Sequence, residues 1–398
     1  MSPNLDIDPA LLGRVQDAID DIRSGKMVIL VDDEDRENEG DLVFAAERVT
    51  ADMVNFMAIH GRGLICLTMT EEQVERLELP MMALPKWRGG PPLGTAFTLS
   101  IEARHGVTTG ISAADRARTI QAAVSPDARP EDIVTPGHVF PLKARRGGVL
   151  VRTGQTEGSV DLARLAGCNP SGVICEIMKE DGTMARMPDL EVFGKAHGLR
   201  IITVADLIRY RLQTEQLVRR VYERPVVLDH TGTEWKAIVY SSTIDSSEFL
   251  ALVHGDPSSQ EAPLVRMHRG AVIADTFTST REEGGANLRE AIEIIEKEEA
   301  GVVVYLPPAG DLKGELENFR DASEKSSVDA TRDAKKLEPP HRGALRGFGQ
   351  GAQVLRELGL HQIRLLSNSR RKIAGIQGYG LEVVDTIALG PKFRAGKS

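Results

Sequence analysis

Five apolar residues, Met27 to Val31, run straight into ten residues, Asp32 to Asp41, that carry seven carboxylates and one arginine. A short apolar run of this kind reads as a buried strand. A strand cannot stay inside a core once charges of this density begin, so the chain must leave the core at Asp32 in a loop at the strand's end. Neighbouring carboxylates disfavour one another's ionisation. A hard divalent cation relieves that repulsion, and carboxylate oxygens suit Mg2+ or Mn2+. The plainer alternative is a solvated acidic surface loop.

Around this segment the hydrophobic period switches repeatedly. Leu11, Leu12, Val15, Ile19 and Ile22 fall on one helical face, and Gly25 stops the helix. Helices are expected from Thr50 to His60, from a Thr70–Gln73 capping box to Leu79, after Ser112, from Leu190 to His197, and after Thr203. Strands are expected over Leu64–Met69, Phe97–Ile101, Val173–Met178 and Leu199–Ile202. Interleaved strands and helices predict α/β or α+β layers. At 398 residues two or three domains are expected. Residues 211–224 are charged and polar and end at Pro225, so the chain divides into domains 1–212 and 225–398 joined by a linker, 213–224. The second half repeats the mixed pattern, with strands over Trp235–Tyr240, Phe249–Val253, Leu264–His268, Gly301–Leu306 and Gln362–Leu366. Helices are expected over Asn287–Glu299 and Gly349–Leu358. Residues 307–340 have almost no large apolar side chains and read as a solvated helix or an unpacked segment.

Composition excludes several function classes. A net charge of −9 argues against nucleic acid and anionic membranes as partners. No apolar run reaches the ~18–20 residues of a membrane span, and the first residues lack a signal peptide's basic start. Cys66, Cys168 and Cys175 make neither a disulfide framework nor a metal spacing. The expectation is a reduced, cytoplasmic protein.

Four further stretches can carry chemistry. In Gly106–Arg116, GVTTGISAADR, two threonines between glycines precede a helix; this is a phosphate cradle or a plain capped turn. In TPGHVFPL, Thr135–Leu142, His138 follows a turn and is either an acid–base residue or structural. In GGVLVRTGQTE, Gly147–Glu157, Arg152, Thr153, Gln155, Thr156 and Glu157 cluster before a helix, as a phosphate or metal site would. Glu176 stands in a strand among apolar neighbours, where a carboxylate is paired or has its proton affinity raised.

Together, in this order and with CEIMKEDGTMAR (Cys175–Arg186), these motifs closely resemble 3,4-dihydroxy-2-butanone-4-phosphate synthase over residues 8–212. The resemblance implies conversion of D-ribulose 5-phosphate to L-3,4-dihydroxy-2-butanone 4-phosphate and formate, for riboflavin, with Mg2+ or Mn2+, in a homodimer with sites at the subunit interface. It implies that Glu37 is a metal ligand, that Arg36, Glu37 and Asp41 hold the sugar, and that Arg152, Thr153, Gly154, Gln155 and Thr156 form the phosphate and substrate loop. Thr109 assists, Cys66 lines the site, and His138 and Glu176 are the catalytic acid–base pair. Many members have Gly-His-Thr-Glu in that loop, the histidine being the second metal ligand. Here the position is Gln155, whose amide oxygen suits Mg2+ better than softer metals.

The second half resembles the GTP cyclohydrolase II fold over 222–390, through APLVRMH (Ala262–His268), the stretch from Ala274 to Leu306, and LGLHQIRLLSNSRRK (Leu358–Lys372). Arg266, His268, Asp275, Phe277, Ser279, Arg281 and Leu288 match. The family's three zinc-binding cysteines fall on Ala271, Glu282 and Gly284, and no cysteine follows Cys175. The family's Gln-Glu-Gly-Arg run is replaced by PPAGDLKGE (Pro307–Glu315), and its later acid–arginine pair is lost in EPPHRGALRGFG (Glu338–Gly349). The expectation is an inactive cyclohydrolase domain without zinc. The alternatives are a bifunctional enzyme with a rearranged site and a non-catalytic binder of sugar phosphate or nucleotide.

Overall fold

The computed structural model describes residues 9–33, 36–82, 95–245, 247–277, 284–306, 308, 312–313, 315–316, 341–368 and 381–390. It has two compact units, dividing between Arg211 and Leu212. Both are mixed α/β, as the alternating period predicts.

The first unit runs α1 (Pro9–Arg23), β1 (Val28–Val31), β2 (Gly40–Ala45), α2 (Ala51–Phe56), β3 (Cys66–Met69), α3 (Glu71–Arg76), β4 (Ile101–Ala103), α4 (Ala113–Val124), β5 (Ile133–Lys143), α5 (Gln155–Leu165), β6 (Gly172–Glu176), α6 (Met187–His197), β7 (Arg200–Thr203) and α7 (Val204–Thr214). Its sheet has the order β4-β5-β3-β6-β2-β1-β7. The central strands β1, β2, β3 and β6 are mostly apolar and buried at almost every position, because both sheet faces are covered. Ile29, Val31, Leu42 and Phe44 enter one core with α4 and α6. Val28, Leu30, Val43 and Ala45 enter the other with α1, α5 and α7. Each fully buried aliphatic there contributes roughly 1.5–3 kcal/mol. The local signals act as read: Thr70 and Gln73 form a capping box, and the Ser112 side chain caps α4 by accepting from the Asp115 N–H.

Three expectations change. The sequence pattern assigns no element between Asp41 and Thr50, yet β2 lies there and pairs antiparallel with β1, Val31 opposite Gly40. The acidic segment is thus a connection between paired strands. The strand expected over Phe97–Ile101 lies at Ile101–Ala103, and Phe97 makes only an isolated bridge to Leu142. Pro141 on the facing strand accepts from the Thr98 N–H but has no N–H to return the bond. The expected linker 213–224 is structured, since α7 reaches Thr214 and β8 begins at Val218. Its charged residues belong to an edge strand, β8, exposed along most of its length with Val221 and Tyr222 included.

The second unit contains β8 (Val218–Val227), β9 (Glu234–Ser242), β10 (Glu248–His254), β11 (Leu264–Arg269), α8 (Val272–Thr276), α9 (Gly284–Lys297), β12 (Gly301–Leu306), α10 (His341–Glu357), β13 (Gln362–Leu366) and β14 (Glu382–Ile387). The sheet order is β14-β13-β11-β12-β10-β9-β8. Strands β8, β9, β10 and β12 pair antiparallel, and β12, β11, β13 and β14 pair in parallel. Val302 and Val304 pack with α10 on one face, and Val303 packs with Ile292 and Ile295 of α9 on the other. Residues 307–340 lie almost wholly outside the described residues. Among the described residues no helix is long and apolar enough to cross a membrane.

Candidate active site

The acidic loop is organised by Asp32, a residue that the sequence does not single out. Its side chain is buried and accepts from the Glu37 N–H (3.2 Å), the Glu39 N–H (2.8 Å) and Arg36 Nη1 (2.6 Å). The same Arg36 Nη1 lies 2.7 Å from Glu37 Oε2 and 2.8 Å from Gln155 Oε1. A guanidinium nitrogen of this type carries two hydrogens, so three oxygens converge on two donors. The cluster therefore has acceptor capacity to spare, and its donors are all oxygen. Among the described residues no three His, Cys, Asp or Glu side chains converge as a metal-binding group. A two-ligand set, Glu37 and Gln155, fits Mg2+, which keeps several waters and takes one or two protein oxygens.

Asp41 and Glu176 face each other across the β2–β6 pair. Burial, and then the Glu176 charge, push the Asp41 carboxyl well above the usual carboxylate range. Burial and Glu37 also raise Glu39. The sequence places Glu176 within a strand; it is in fact the last residue of β6, half-buried, and its Oε2 accepts from the Leu64 N–H at 2.8 Å. Cys66 is buried on β3, and burial together with Glu176 pushes its thiol up. It therefore stays protonated at neutral pH.

At the start of α5 Arg152 donates to Glu157 Oε2 (2.7 Å) and Thr95 Oγ1 (3.3 Å). Burial raises the Glu157 carboxyl and Arg152 opposes the rise. Gly154 caps the helix. A Cβ there would lie 2.8 Å from Arg152 Nη1 and 3.1 Å from Arg36 Nη2, so only glycine leaves both guanidinium groups beside the helix end. Free N–H groups of a helix's first turn with two arginines form an anion site. Gln155 and Thr156, both buried, are the first two residues of that turn, and Thr153 precedes them.

His138 stands in a second group. Its Nδ1 is 2.7 Å from Glu102 Oε2. Glu102 also accepts from the His138 N–H (3.2 Å) and from Thr119 Oγ1 (3.1 Å). An ionised carboxylate can only accept, which assigns the proton to Nδ1 and leaves Nε2 as the working nitrogen. The His138 side chain is 44% exposed. Its partner Glu102 was not legible beforehand; the only signal is a lone acid between apolar residues in the Ile101–Ala103 strand. Gly110, at φ +89°, brings the Thr108–Gly110 turn against this pair, where a Cβ would lie 2.0 Å from Glu102 Oε2 and 2.6 Å from His138 Nδ1. Asp115 fixes the turn through Thr108 Oγ1 (2.7 Å) and the Gly110 N–H (3.0 Å). The Thr108 hydroxyl holds its carboxyl below the usual range. Thr109 itself is exposed. The structure thus joins Arg36, Glu37, Asp41, Cys66, Glu176, Gln155 and the Arg152 loop. Among the described residues no hydrogen bond or ion pair ties His138 or Glu102 to the acidic loop.

In the second unit the residues around the expected zinc positions close on one another. Asp275 is held by His268 Nε2 (2.9 Å), the Ala271 N–H (2.9 Å) and Tyr305 OH (2.7 Å). Glu315 accepts from the Val272 N–H (3.1 Å) and the Ile273 N–H (2.7 Å). Arg266 is buried and donates to the Leu366 carbonyl at 2.9 Å. Phe277 is exposed. Ser279, Arg281 and Glu282 lie outside the described residues.

Comparison with known proteins gives the same division. A family described as 3,4-dihydroxy-2-butanone 4-phosphate synthase matches residues 16–210, and one described as GTP cyclohydrolase II matches residues 219–388. The chain is 50% identical over 384 residues to the riboflavin biosynthesis protein RibBA of Aquifex aeolicus, covering 94% of this chain and 92% of that one. It is 46% identical over 382 residues to RibBA of Synechocystis, covering 94% and 67%. Its structure resembles RibBX, a two-domain 3,4-dihydroxy-2-butanone 4-phosphate synthase from A. baumannii, with a TM-score of 0.73 and 41% identity over 95% of this chain and 99% of that one.

Proposed function

The chain belongs to the RibBA family of riboflavin biosynthesis proteins, a 3,4-dihydroxy-2-butanone 4-phosphate synthase domain followed by a GTP cyclohydrolase II domain, and from that premise we propose that the first domain converts D-ribulose 5-phosphate to L-3,4-dihydroxy-2-butanone 4-phosphate and formate. The carrying observation is the convergence of Asp32, Glu37 and Gln155 oxygens on Arg36 Nη1, beside a helix start flanked by Arg36 and Arg152. Gly154, Gln155, Thr156 and the two arginines bind the phosphate and orient the sugar. Glu37 and Gln155 hold the divalent cation, Mg2+ or Mn2+, which supplies Lewis-acid polarisation of substrate oxygens. Asp41, disposed to keep its proton, donates to a substrate hydroxyl. His138 takes and returns protons at Nε2, with Glu102 orienting the ring through Nδ1. Glu176, oriented by the Leu64 N–H, is the second proton carrier. The working unit on this reading is a homodimer, checked by sedimentation equilibrium of the 43.3 kDa chain.

The second domain, on the same reading, binds no zinc and hydrolyses no GTP. Ala271 and Gly284 carry no donor atoms, and a zinc site needs three or four N, S or O ligands in tetrahedral reach. The residues present do not fit the metal. The RibBA name of its relatives favours the alternative, a second, cyclohydrolase activity. One experiment separates the readings: formate is measured from ribulose 5-phosphate and, separately, from GTP, with Mg2+ and Zn2+ present. Formate from the sugar phosphate alone is expected. Formate from GTP overturns the reading of the second domain, and none from either substrate leaves a non-catalytic binder.

A further inference from the structure

Between β1 and β2 the acidic loop turns through Asn38, a non-glycine residue at φ +54°, in the sparsely populated left-handed region. The backbone of this turn is held through both kinds of polar group. Asp32 takes the N–H groups of Glu37 and Glu39. The carbonyls of Glu37 and Asn38 are taken by one atom, Arg186 Nη1, at 2.7 Å from Glu37 O and in contact with Asn38 O. The same nitrogen is 4.0 Å from Glu39 Oε1. Arg186 is itself anchored, since its backbone N–H donates to Asp189 Oδ2 (3.0 Å) in the first turn of α6. That helix packs closely on the loop's end, where a Cβ on Gly40 would lie 2.5 Å from Leu190 Cδ1. The Arg186 side chain is 43% exposed, so packing alone does not explain it. The sequence marks Arg186 only as the last residue of a motif, without a role.

We propose that Arg186 is a positioning residue for the cation site. By holding the Glu37 and Asn38 carbonyls against α6, it fixes the direction in which the Glu37 carboxylate faces Gln155. This rests on the reading of Glu37 as a ligand in the synthase reaction. Residues that orient metal ligands are typically worth about 10–100-fold in metal affinity or activity.

The test uses the full chain, wild type, Arg186→Ala and Arg186→Lys. Three quantities are read: Mn2+ affinity by paramagnetic resonance of the free ion, the Mg2+ concentration for half-maximal formate release together with kcat at saturating Mg2+, and amide exchange of residues 37–40. Arg186→Ala should weaken Mn2+ and raise the Mg2+ requirement about tenfold, lower kcat at saturation much less, and speed exchange at residues 37–40. Arg186→Lys, which still offers a cationic donor, should recover part of both losses. A merely structural arginine would lower thermal stability and kcat while leaving metal affinity unchanged, and that result overturns the proposal. Wild-type exchange at 37–40 in Arg186→Ala overturns it too, whether or not the chain is active. Absence of formate from the wild-type chain is instead a failure of the synthase reading, and the exchange data still decide whether Arg186 holds the loop.

Discussion

The two domains each place carboxylates beside an arginine and a histidine, yet their hydrogen-bond balances run in opposite directions. At the acidic loop, Asp32, Glu37 and Gln155 present three oxygens to one nitrogen with two hydrogens. In the second domain a single carboxylate, Asp275, receives donors from His268, Ala271 and Tyr305. Surplus acceptors leave a place for a cation. Three donors on one carboxylate occupy most of its roughly four acceptor sites and close the site on itself. Burial alone would raise the Asp275 carboxyl, but its three donors hold it below the usual range, whereas Asp41, with Glu176 across the pair, is pushed up. Carboxylate count therefore says little about metal binding until the donors facing each oxygen are counted.

Removing the charged oxygen at the first site should have the largest effect. Glu37→Gln is expected to lower formate release about 100-fold or more, with thermal unfolding unchanged, because the loop is held by Asp32 and not by Glu37. A variant within threefold of wild type would erase the contrast. The converse change, Asp275→Asn, should leave formate release intact and destabilise the second domain by about 1–3 kcal/mol, the cost of unmatched buried hydrogen bonds, measured in urea. Its pH signature follows from the depressed carboxyl. The stabilisation is complete above the unfolded value near 3.9 and is lost as pH falls through the lower folded value. Wild type should therefore lose stability in that acid window and the asparagine variant should not.

A smaller effect is expected from Gln155→His. If residue 155 is a ligand, a basic imidazole in its place should reduce the Mn2+ needed for half-maximal activity, since it is a stronger electron-pair donor than a neutral amide oxygen. An unchanged or raised requirement would remove Gln155 from the ligand set. The smallest expected effect is none: exhaustive chelation should not shift the unfolding of the second domain, and elemental analysis should find no stoichiometric zinc. A fall of several degrees on chelation would show that the donors around Asp275 are not what holds the domain.

Local signals were readable because their partners lie close in the chain. The Thr70–Gln73 box, the Ser112 cap and the apolar run of β1 each need only a few residues of context. Asp32 was hidden because seven carboxylates in one run look equivalent, and only the fold selects the one whose oxygens meet the Glu37 and Glu39 amides. Glu102 was hidden by distance, since 36 residues separate it from His138. Arg36 and Gln155 are 119 apart, and the sequence joined them only through resemblance to a family. The linker reading failed for another reason: the charged residues of an exposed edge strand look like those of a loop, and its Val221 and Tyr222 face solvent, not a core.

That edge strand bears on how folded chains behave toward one another. A ten-residue strand at the border of a sheet presents a row of unpaired backbone groups to any other strand in solution, and such rows seed aggregation. Along β8 the opportunity is blunted three times. Arg219 and Arg224 place like charges on the strand, while Arg220 is paired with Glu223 and Glu357, so two copies approaching edge to edge repel. Pro225 removes one donor from the row. The irregularity between Arg220 and Tyr222 breaks the straight register that a second strand would need. The stretch that reads as a linker in the sequence thus carries features that offset the exposed Val221, Tyr222 and Val227 and oppose edge-to-edge pairing of two folded chains.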